Sequence, residues 1–328
     1  MKKVLGLGNP LVDMLTILKS DDLLNEFVLP KGSMQLIDAG LYGEIFSKIK
    51  EETRFLVSGG SASNTISGLA KLGVPVGFAG KIGNDEIGSF YRMDAEKNGI
   101  RSHLVQSDSP SGICISLVSP DGERTMATCL GAACEMSPDD LDETIFIGYD
   151  YCHIEGYCVQ NHNLILAAMQ MAKKSGLKIS LDLASYNVVL ENLDFLKQIT
   201  CDYVDILFAN EEEAKAFTGK NPEEALNEIA SICEIAVVKL GYKGSLVKKG
   251  EEKHIIHSLP DIVCLDSTGA GDLYAAGFLY GIANELPLDV CGEIGALVAG
   301  NVVQVIGTKL DDEKWEIIKR YADKWLRQ

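Results

Sequence analysis

The sequence has no C-x-x-C pair, no H-E-x-x-H pair, no complete G-x-G-x-x-G or G-x-x-x-x-G-K-[ST] loop and no uninterrupted apolar run long enough to span a bilayer. Each absence removes a class. Gly6-Leu7-Gly8 carries Leu11 where a dinucleotide fingerprint needs its third glycine. Gly80-Lys81 and Gly219-Lys220 lack the Ser or Thr of a P-loop. His254 and His257, three apart on a strand-like stretch, read as surface residues rather than a zinc site. The nine cysteines are an odd set in a chain large enough not to need staples, so a reduced, cytoplasmic setting is expected. Lys2 and Lys3 precede a short apolar stretch, but Asn9, Pro10 and Asp13 interrupt it, so no export signal is expected. Positive charge is also scarce. Lys and Arg number 30 against 47 Asp and Glu, a net charge of −17, which repels nucleic-acid backbones and anionic membranes. Any anionic ligand then needs a local nest of backbone N–H groups, lysines or a metal.

What remains is a globular composition: 328 residues, 46% hydrophobic and 23% charged. Strand-like runs at 4–8, 76–79, 177–183, 204–209 and 235–240 alternate with helical periods at 63–72, 86–98, 162–174 and 222–233. Three further helices are expected near 270–283, 288–305 and 312–326. This rhythm predicts a doubly wound, mostly parallel α/β sheet flanked by helices in a single domain over 1–328. Two segments break it. Residues 14–38 and 104–129 read as short strands around Pro30-Lys31-Gly32 and Pro120-Asp121-Gly122 turns, and are expected to pair into a small antiparallel sheet forming a lid.

The most informative stretch is Asp266-Ser267-Thr268-Gly269-Ala270-Gly271-Asp272, between an apolar run at 262–265, read as a strand, and a small-residue helix over 273–281. The N–H groups of Gly269, Ala270 and Gly271 can converge at the helix N-terminus and hold an anion. Asp272 then either complements the helix dipole or acts as a base beside that anion hole.

This stretch resembles the D-T-x-G-A-G-D signature of the PfkB/ribokinase family, with Ser267 in place of the usual Thr. Gly59-Gly60-Ser61-Ala62-Ser63-Asn64, running on to Gly80-Lys81-Ile82-Gly83-Asn84-Asp85-Glu86-Ile87-Gly88, resembles the family's N-terminal signature. The resemblance implies a ribokinase-like fold and an ATP-dependent phosphotransferase. Asp272 would be the catalytic base, with Gly269, Ala270 and Gly271 as the anion hole. Asp13 matches the family Asp that grips substrate hydroxyls; by position alone it reads as a strand-end or turn residue. Gly59 and Gly60 would admit the substrate closely, and Asn64 would offer it a donor and an acceptor. As bare sequence the same glycines read as a turn and helix cap.

Asn210 and Glu213 match the family's N-x-x-E element and could hold Mg²⁺ through its waters. Lys239, Gly241 and Gly244 resemble the nucleotide-binding strand and turn, which without the family reads as a hairpin. Thr268 and Asn301 are added on the nucleotide side by the same resemblance, which also implies a monovalent-cation site of unnamed ligands. Arg124 has two readings, a phosphate contact from the lid or a partner for a nearby carboxylate.

Gly8–Asp13, Lys31–Asp38 and Gly122–Met126 look most like adenosine-kinase-like members. The expected acceptor is therefore a nucleoside, with Met34, Leu36 and Cys114 as an apolar wall for its base. A sugar acceptor (ribose, fructose or a ketodeoxy sugar acid) is the alternative, because aromatic residues are only 7% of the chain. A catalytically silent binder is a further one, disfavoured by the intact Gly-Ala-Gly-Asp. Small-molecule partners are expected, and either a monomer or a homodimer joined through the lid.

Overall fold

The computed structural model describes residues 1–49 and 54–327. In chain order its strands are β1 (Val4–Leu7), β2 (Leu11–Ile17), β3 (Met34–Leu36), β4 (Arg54–Gly59), β5 (Val76–Gly83), β6 (Arg101–Ser107) and β7 (Gly112–Val118). They continue as β8 (Arg124–Cys129), β9 (Tyr151–Glu155), β10 (Lys178–Asp182), β11 (Ile206–Asn210), β12 (Ile235–Lys239), β13 (Ser245–Lys249) and β14 (Glu252–Ile256). Nine of them form one sheet in the order β14-β13-β12-β11-β10-β9-β1-β5-β6. From β12 to β6 every pairing is parallel; only β13 runs the other way, pairing antiparallel with both β12 and β14.

The β-rich sequence runs are buried on both faces because helices cover both. Along β1 and β12 successive side chains enter different cores. Val4, Ile235 and Val237 join Phe78, Phe208 and the helices Ser61–Lys71, Ala270–Ala283 and Leu288–Val302. Leu5, Leu7, Ala236 and Val238 join the helices His162–Lys174, Leu193–Tyr203 and Glu211–Thr218 on the other face. The helix Ala270–Ala283 is buried on nearly all sides, and its small residues permit that. A Cβ on Gly277 would lie 2.5 Å from the Ile294 carbonyl oxygen, so the neighbouring helix sets the residue size there.

From β1 the chain moves outward through β5 and β6, then returns to β9 on the other side of β1 and moves away through β10, β11 and β12. This reversal opens a crevice at the carboxyl ends of the strands, where ligands of open α/β sheets bind.

A second sheet, β3-β8-β7-β2-β4, stands beside the first, backed by the helices Asp22–Glu26 and Ala39–Ile49 over a core of Met14, Ile45, Ile115 and Leu117. It differs from the expected antiparallel sheet in three ways. It is mixed, since β2–β7 and β3–β8 pair in parallel. It includes β4, and β2 begins at Leu11 rather than at 14. Residues 104–107 lie instead in β6, parallel to β5 at the edge of the main sheet. The intervening helix Glu86–Lys97 supplies the crossover such a pair requires.

Residues 262–265 form no strand. Val263 is 71% exposed and Leu265 65% exposed, and the segment lies on the end of the helix Leu288–Val302 through Leu265 N–H to Val303 O at 2.7 Å. β14 already closes that edge of the sheet.

Candidate active site

Four consecutive parallel strands end in a polar residue: Glu155 on β9, Asp182 on β10, Asn210 on β11 and Lys239 on β12. Parallel pairing brings these ends into line, Glu155 beside Asp182 and Asn210 beside Lys239. Above them lies a cavity of about 890 Å³, walled by the signature loop, the β12–β13 turn and side chains of the second sheet. A second cavity of about 1050 Å³ runs beneath the second sheet and shares Gly60, Ser61 and Tyr157 with the first.

Asp272 projects from the first turn of the helix Ala270–Ala283 into the first cavity. Ser61 Oγ donates to its Oδ1 at 2.7 Å and Asn64 Nδ2 to its Oδ2 at 2.9 Å. Loss of water raises its pKa to about 6, against the pull of those two donors. The group is therefore ionised at neutral pH, yet poised to take a proton. Asn64 Oδ1 is buried with no hydrogen-bond partner among the described residues, an acceptor left for a ligand.

Gly269 caps the helix at φ +71°, and a Cβ there would meet Thr308 Cγ2 at 2.5 Å. The three amides of the expected anion hole are not equivalent. Ala270 N–H already donates to Ser267 O at 3.2 Å, whereas no hydrogen bond among the described residues engages the N–H of Gly269 or Gly271. Lys239 Nζ lies 3.0 Å from where a Gly271 Cβ would be, which adds a cation to the anion site. That ammonium donates to Asp182 Oδ2 at 2.6 Å. Burial lowers its pKa, but the carboxylates of Asp182, Glu213 and Asp272 outweigh burial and raise it overall.

Arg124, opening β8, pairs with Asp266 at 2.6 Å and reaches Thr268 Oγ1 at 3.3 Å. The carboxylate reading of Arg124 thus holds, with its partner in the signature loop rather than on its own hairpin. Its Nε is buried without a partner among the described residues, and the side chain lines the first cavity. Asp266 also accepts from Thr268 N–H and Oγ and from Gly307 N–H, at 2.6–2.9 Å. The Thr268 hydroxyl is therefore spent on the loop itself.

Asp13 lines the first cavity from β2. Burial pushes its pKa up to about 6, with Arg124 and Lys309 pulling the other way. Gly59 lines neither cavity; its part is to leave room for Asp13, whose Oδ2 would be 2.6 Å from a Gly59 Cβ. Gly60, at φ +98°, must lack a side chain because a Cβ would overlap the Asn9 carbonyl oxygen. Gly241 and Gly244 form the β12–β13 hairpin turn and also line the first cavity. Asn301 does not line the cavity. Its Nδ2 turns back to Leu297 O at 2.8 Å, and its helix reaches the cavity through Ala296, Ala299 and Gly300 instead. Cys114 lines neither cavity; it is buried on β7 as the ladder partner of Asp13. Met34 and Leu36 do line the second.

Residues 33–315 match the family model described as pfkB family carbohydrate kinase. The chain belongs to the pfkB family of carbohydrate kinases. It is a phosphotransferase of the carbohydrate and nucleoside class, and membership implies ATP as donor. A probable sugar kinase from Rhizobium etli superposes with a TM-score of 0.87 at 32% identity, covering 98% of each chain. An adenosine kinase from Sinorhizobium meliloti superposes with a TM-score of 0.87 at 30% identity, covering 98% of this chain and 99% of that one. An adenosine kinase from Saccharomyces cerevisiae is 27% identical over 94% of this chain and 96% of its own length.

In this pfkB-family chain, Asn210 and Glu213 form a reciprocal cap. Asn210 N–H and Nδ2 donate to the two Glu213 oxygens at 2.7 and 2.6 Å, and Glu213 N–H donates to Asn210 Oδ1 at 2.8 Å. Burial raises the Glu213 carboxyl above its usual range. Among the described residues no three His, Cys, Asp or Glu are grouped to hold a metal. The donors thus do not fit an all-protein metal cage; an amide and a carboxylate of this kind fit a Mg²⁺ held through its waters.

Ser61, Asp182, Glu155 and Lys309 were not singled out from the sequence. Asp182 and Glu155 did leave a trace, each an acid at the end of an apolar run (Leu181-Asp182-Leu183 and His153-Ile154-Glu155). Glu155 accepts from Asn9 N–H at 3.0 Å and Ala62 N–H at 2.9 Å, tying the loop after β1 to the helix that carries Asn64. Lys309 had no sequence signal.

Proposed function

We propose that this kinase transfers the γ-phosphoryl group of ATP to a hydroxyl of a nucleoside, adenosine before others, with the second sheet acting as a lid. The observation that carries the reading is the Asp272 carboxylate in the first cavity, held by Asn64 and by Ser61, which also lines the second cavity. The first cavity has the size and glycine lining for a nucleotide and, at its Asp13 and Asn64 end, for the acceptor's hydroxyls; the second, joined to it at Gly60, Ser61 and Tyr157, has room for the rest of the acceptor.

The acceptor hydroxyl gives its proton to Asp272 as its oxygen bonds to the γ-phosphorus and the bond to ADP breaks. The free N–H groups of Gly269 and Gly271, with Lys239, meet the charge that builds on the transferring group. Asp13 and the free Oδ1 of Asn64 accept from acceptor hydroxyls, and the unpartnered Nε of Arg124 donates to a phosphate oxygen. Asn210, Glu213 and Asp182 would hold a Mg²⁺ through its waters, and the ion would offset phosphate charge. A cytoplasmic setting is part of the proposal, supported by the odd number of cysteines and their lack of a C-x-x-C pair.

Nucleoside is favoured because the acceptor cavity is large and lined by Met34, Leu36, Leu130, Met136 and Cys158, an adaptable apolar wall for a base. A sugar acceptor is the second reading, supported by the wall's having Tyr157 as its one Phe, Tyr or Trp side chain among the described residues. ATP turnover with Mg²⁺ against adenosine, other nucleosides, ribose, fructose and ketodeoxy sugar acids, ranked by kcat/KM, decides between them. Adenosine well ahead supports the first reading; a sugar ahead overturns it and keeps the mechanism.

A further inference from the structure

We infer that Glu155 is a positioning residue for phosphoryl transfer: its carboxylate clamps the first turn of the helix Ser61–Lys71 to the loop after β1, so that Ser61 and Asn64 meet Asp272 in one geometry. The inference rests on the base role proposed for Asp272.

The helix Ser61–Lys71 begins without a cap of its own. Gly60 has no side chain to offer and the first turn holds no acid, although the first N–H groups of a helix need acceptors from outside it. The acceptor comes from β9. Glu155 Oε2 accepts from Ala62 N–H at 2.9 Å, and its Oε1 accepts from Asn9 N–H at 3.0 Å. Ala62 lies between Ser61 and Asn64, the two residues that donate to Asp272 at 2.7 and 2.9 Å. A shift of this turn therefore moves both donors together.

Asn9 and Gly60 are also where the chain crosses between the two sheets, Asn9 from β1 to β2 and Gly60 from β4 back to the helix. The crossings touch, since a Cβ on Gly60 would overlap the Asn9 carbonyl oxygen. Glu155 bonds the chain at both, so one side chain of the main sheet fixes the entry to the second sheet and the holders of the base. Gly8 leaves the space, because its Cβ would overlap Glu155 Oε2. The partners of Glu155 set it apart from its neighbours. Asp182 and Asp266 are matched by Lys239 and Arg124 at 2.6 Å, whereas no ion pair within 4.0 Å engages Glu155 among the described residues, although it is 1% exposed. A buried carboxylate without a cation is costly, and what distinguishes it from an apolar residue here is two directed bonds and its fit to the positive end of a helix. Glu155 also lines the second cavity, so direct contact with the acceptor is the competing role.

The test measures kcat, KM for ATP, KM for the acceptor and the melting temperature, with adenosine or with the sugar that leads it in the panel. Glu155→Gln keeps the shape but turns an amide NH₂ toward one of the two N–H groups. It should lower kcat by about ten- to hundredfold, with both KM values within about threefold of the parent. Glu155→Asp, one methylene too short to span both N–H groups, should lower kcat as well, and serves if Glu155→Gln does not fold. A double-mutant cycle reads the route through the helix. In Ser61→Ala, where one of the positioned donors is already gone, Glu155→Gln should reduce kcat by a clearly smaller factor than in the parent. With Asp272→Asn slow, a near-parental kcat in the folded Glu155 variants, or equal factors in the two backgrounds, overturns the inference alone. So does a raised acceptor KM with kcat kept, which makes Glu155 a direct contact of the acceptor. A near-normal kcat in Asp272→Asn overturns the base role and the inference with it.

Discussion

Asp272 illustrates how one carboxylate is set for proton transfer by its surroundings. Desolvation lifts it to about 6 while Ser61 and Asn64 restrain the lift, so near neutral pH it is a base with a usable affinity for a proton. Asp272→Asn should lower kcat by about 10²–10⁴, the range expected on losing a general base, with acceptor binding by calorimetry retained. A near-normal kcat would remove Asp272 from the proposed role. The same environment sets the pH dependence. Asp13 and Asp272 are both raised to about 6 from 3.8, so turnover should fall as pH drops through about 6, as a macroscopic limb shared by the pair. Stability runs the other way. Between about pH 4 and 6 the folded chain holds protons that the unfolded chain has released, so these two groups make stability fall as pH rises through that window. Asp272→Asn removes one such group. It should melt no lower than the parent at pH 8 and lose that advantage at pH 5; a melting temperature clearly below the parent at pH 8 would show that the charge stabilises the fold.

At the scale of elements, helix N-termini carry the site. Gly60 begins the helix that presents Ser61 and Asn64, and Gly269 begins the one that presents Asp272. Both sit at positive φ with no room for a Cβ, against the Asn9 carbonyl and Thr308 respectively. Gly60→Ala should therefore destabilise by about 1–3 kcal/mol of backbone strain and displace the donors to Asp272, so that kcat falls more than stability alone explains. Chemical denaturation read beside kcat at a temperature where the variant is folded checks this; loss of stability with kcat intact would confine Gly60 to the fold. These two helices were legible because glycines precede amphipathic or small-residue segments, and the parallel sheet because its runs are apolar and alternate with helices. The second sheet was read less well. Its ladder joins β2 to β7 and β3 to β8 across roughly a hundred residues, and local turn signals carry no information on parallel pairing at that range. Residues 262–265 look like a strand because they are apolar, yet the sheet edge is already taken by β14 and they lean on a helix end. The signature motifs located Asp272 and Asn64, but Lys309 reaches Ser58 from 251 positions away, a contact only the assembled fold creates.

Over the whole molecule, the charge of −17 opposes the arrival of ATP, although the site must hold its phosphates. The cations that line the first cavity do not reverse this at long range, because Lys239 and Arg124 are each closed against a carboxylate at 2.6 Å. Their contribution is short-range, felt once a phosphate lies close enough to share them with Asp182 and Asp266. Salt distinguishes the two distances. Between about 10 and 100 mM the Debye length falls from about 30 to 10 Å, which screens the exposed acidic surface while leaving sheltered contacts nearly intact. The association rate of ATP should therefore rise over that range, measured by stopped flow with choline chloride as the salt so that no alkali cation is varied. The dissociation rate should change much less. A falling association rate would mean that the face of the cavity presents a net positive field to the nucleotide, and that Lys239 and Arg124 act as attractors before contact rather than after it.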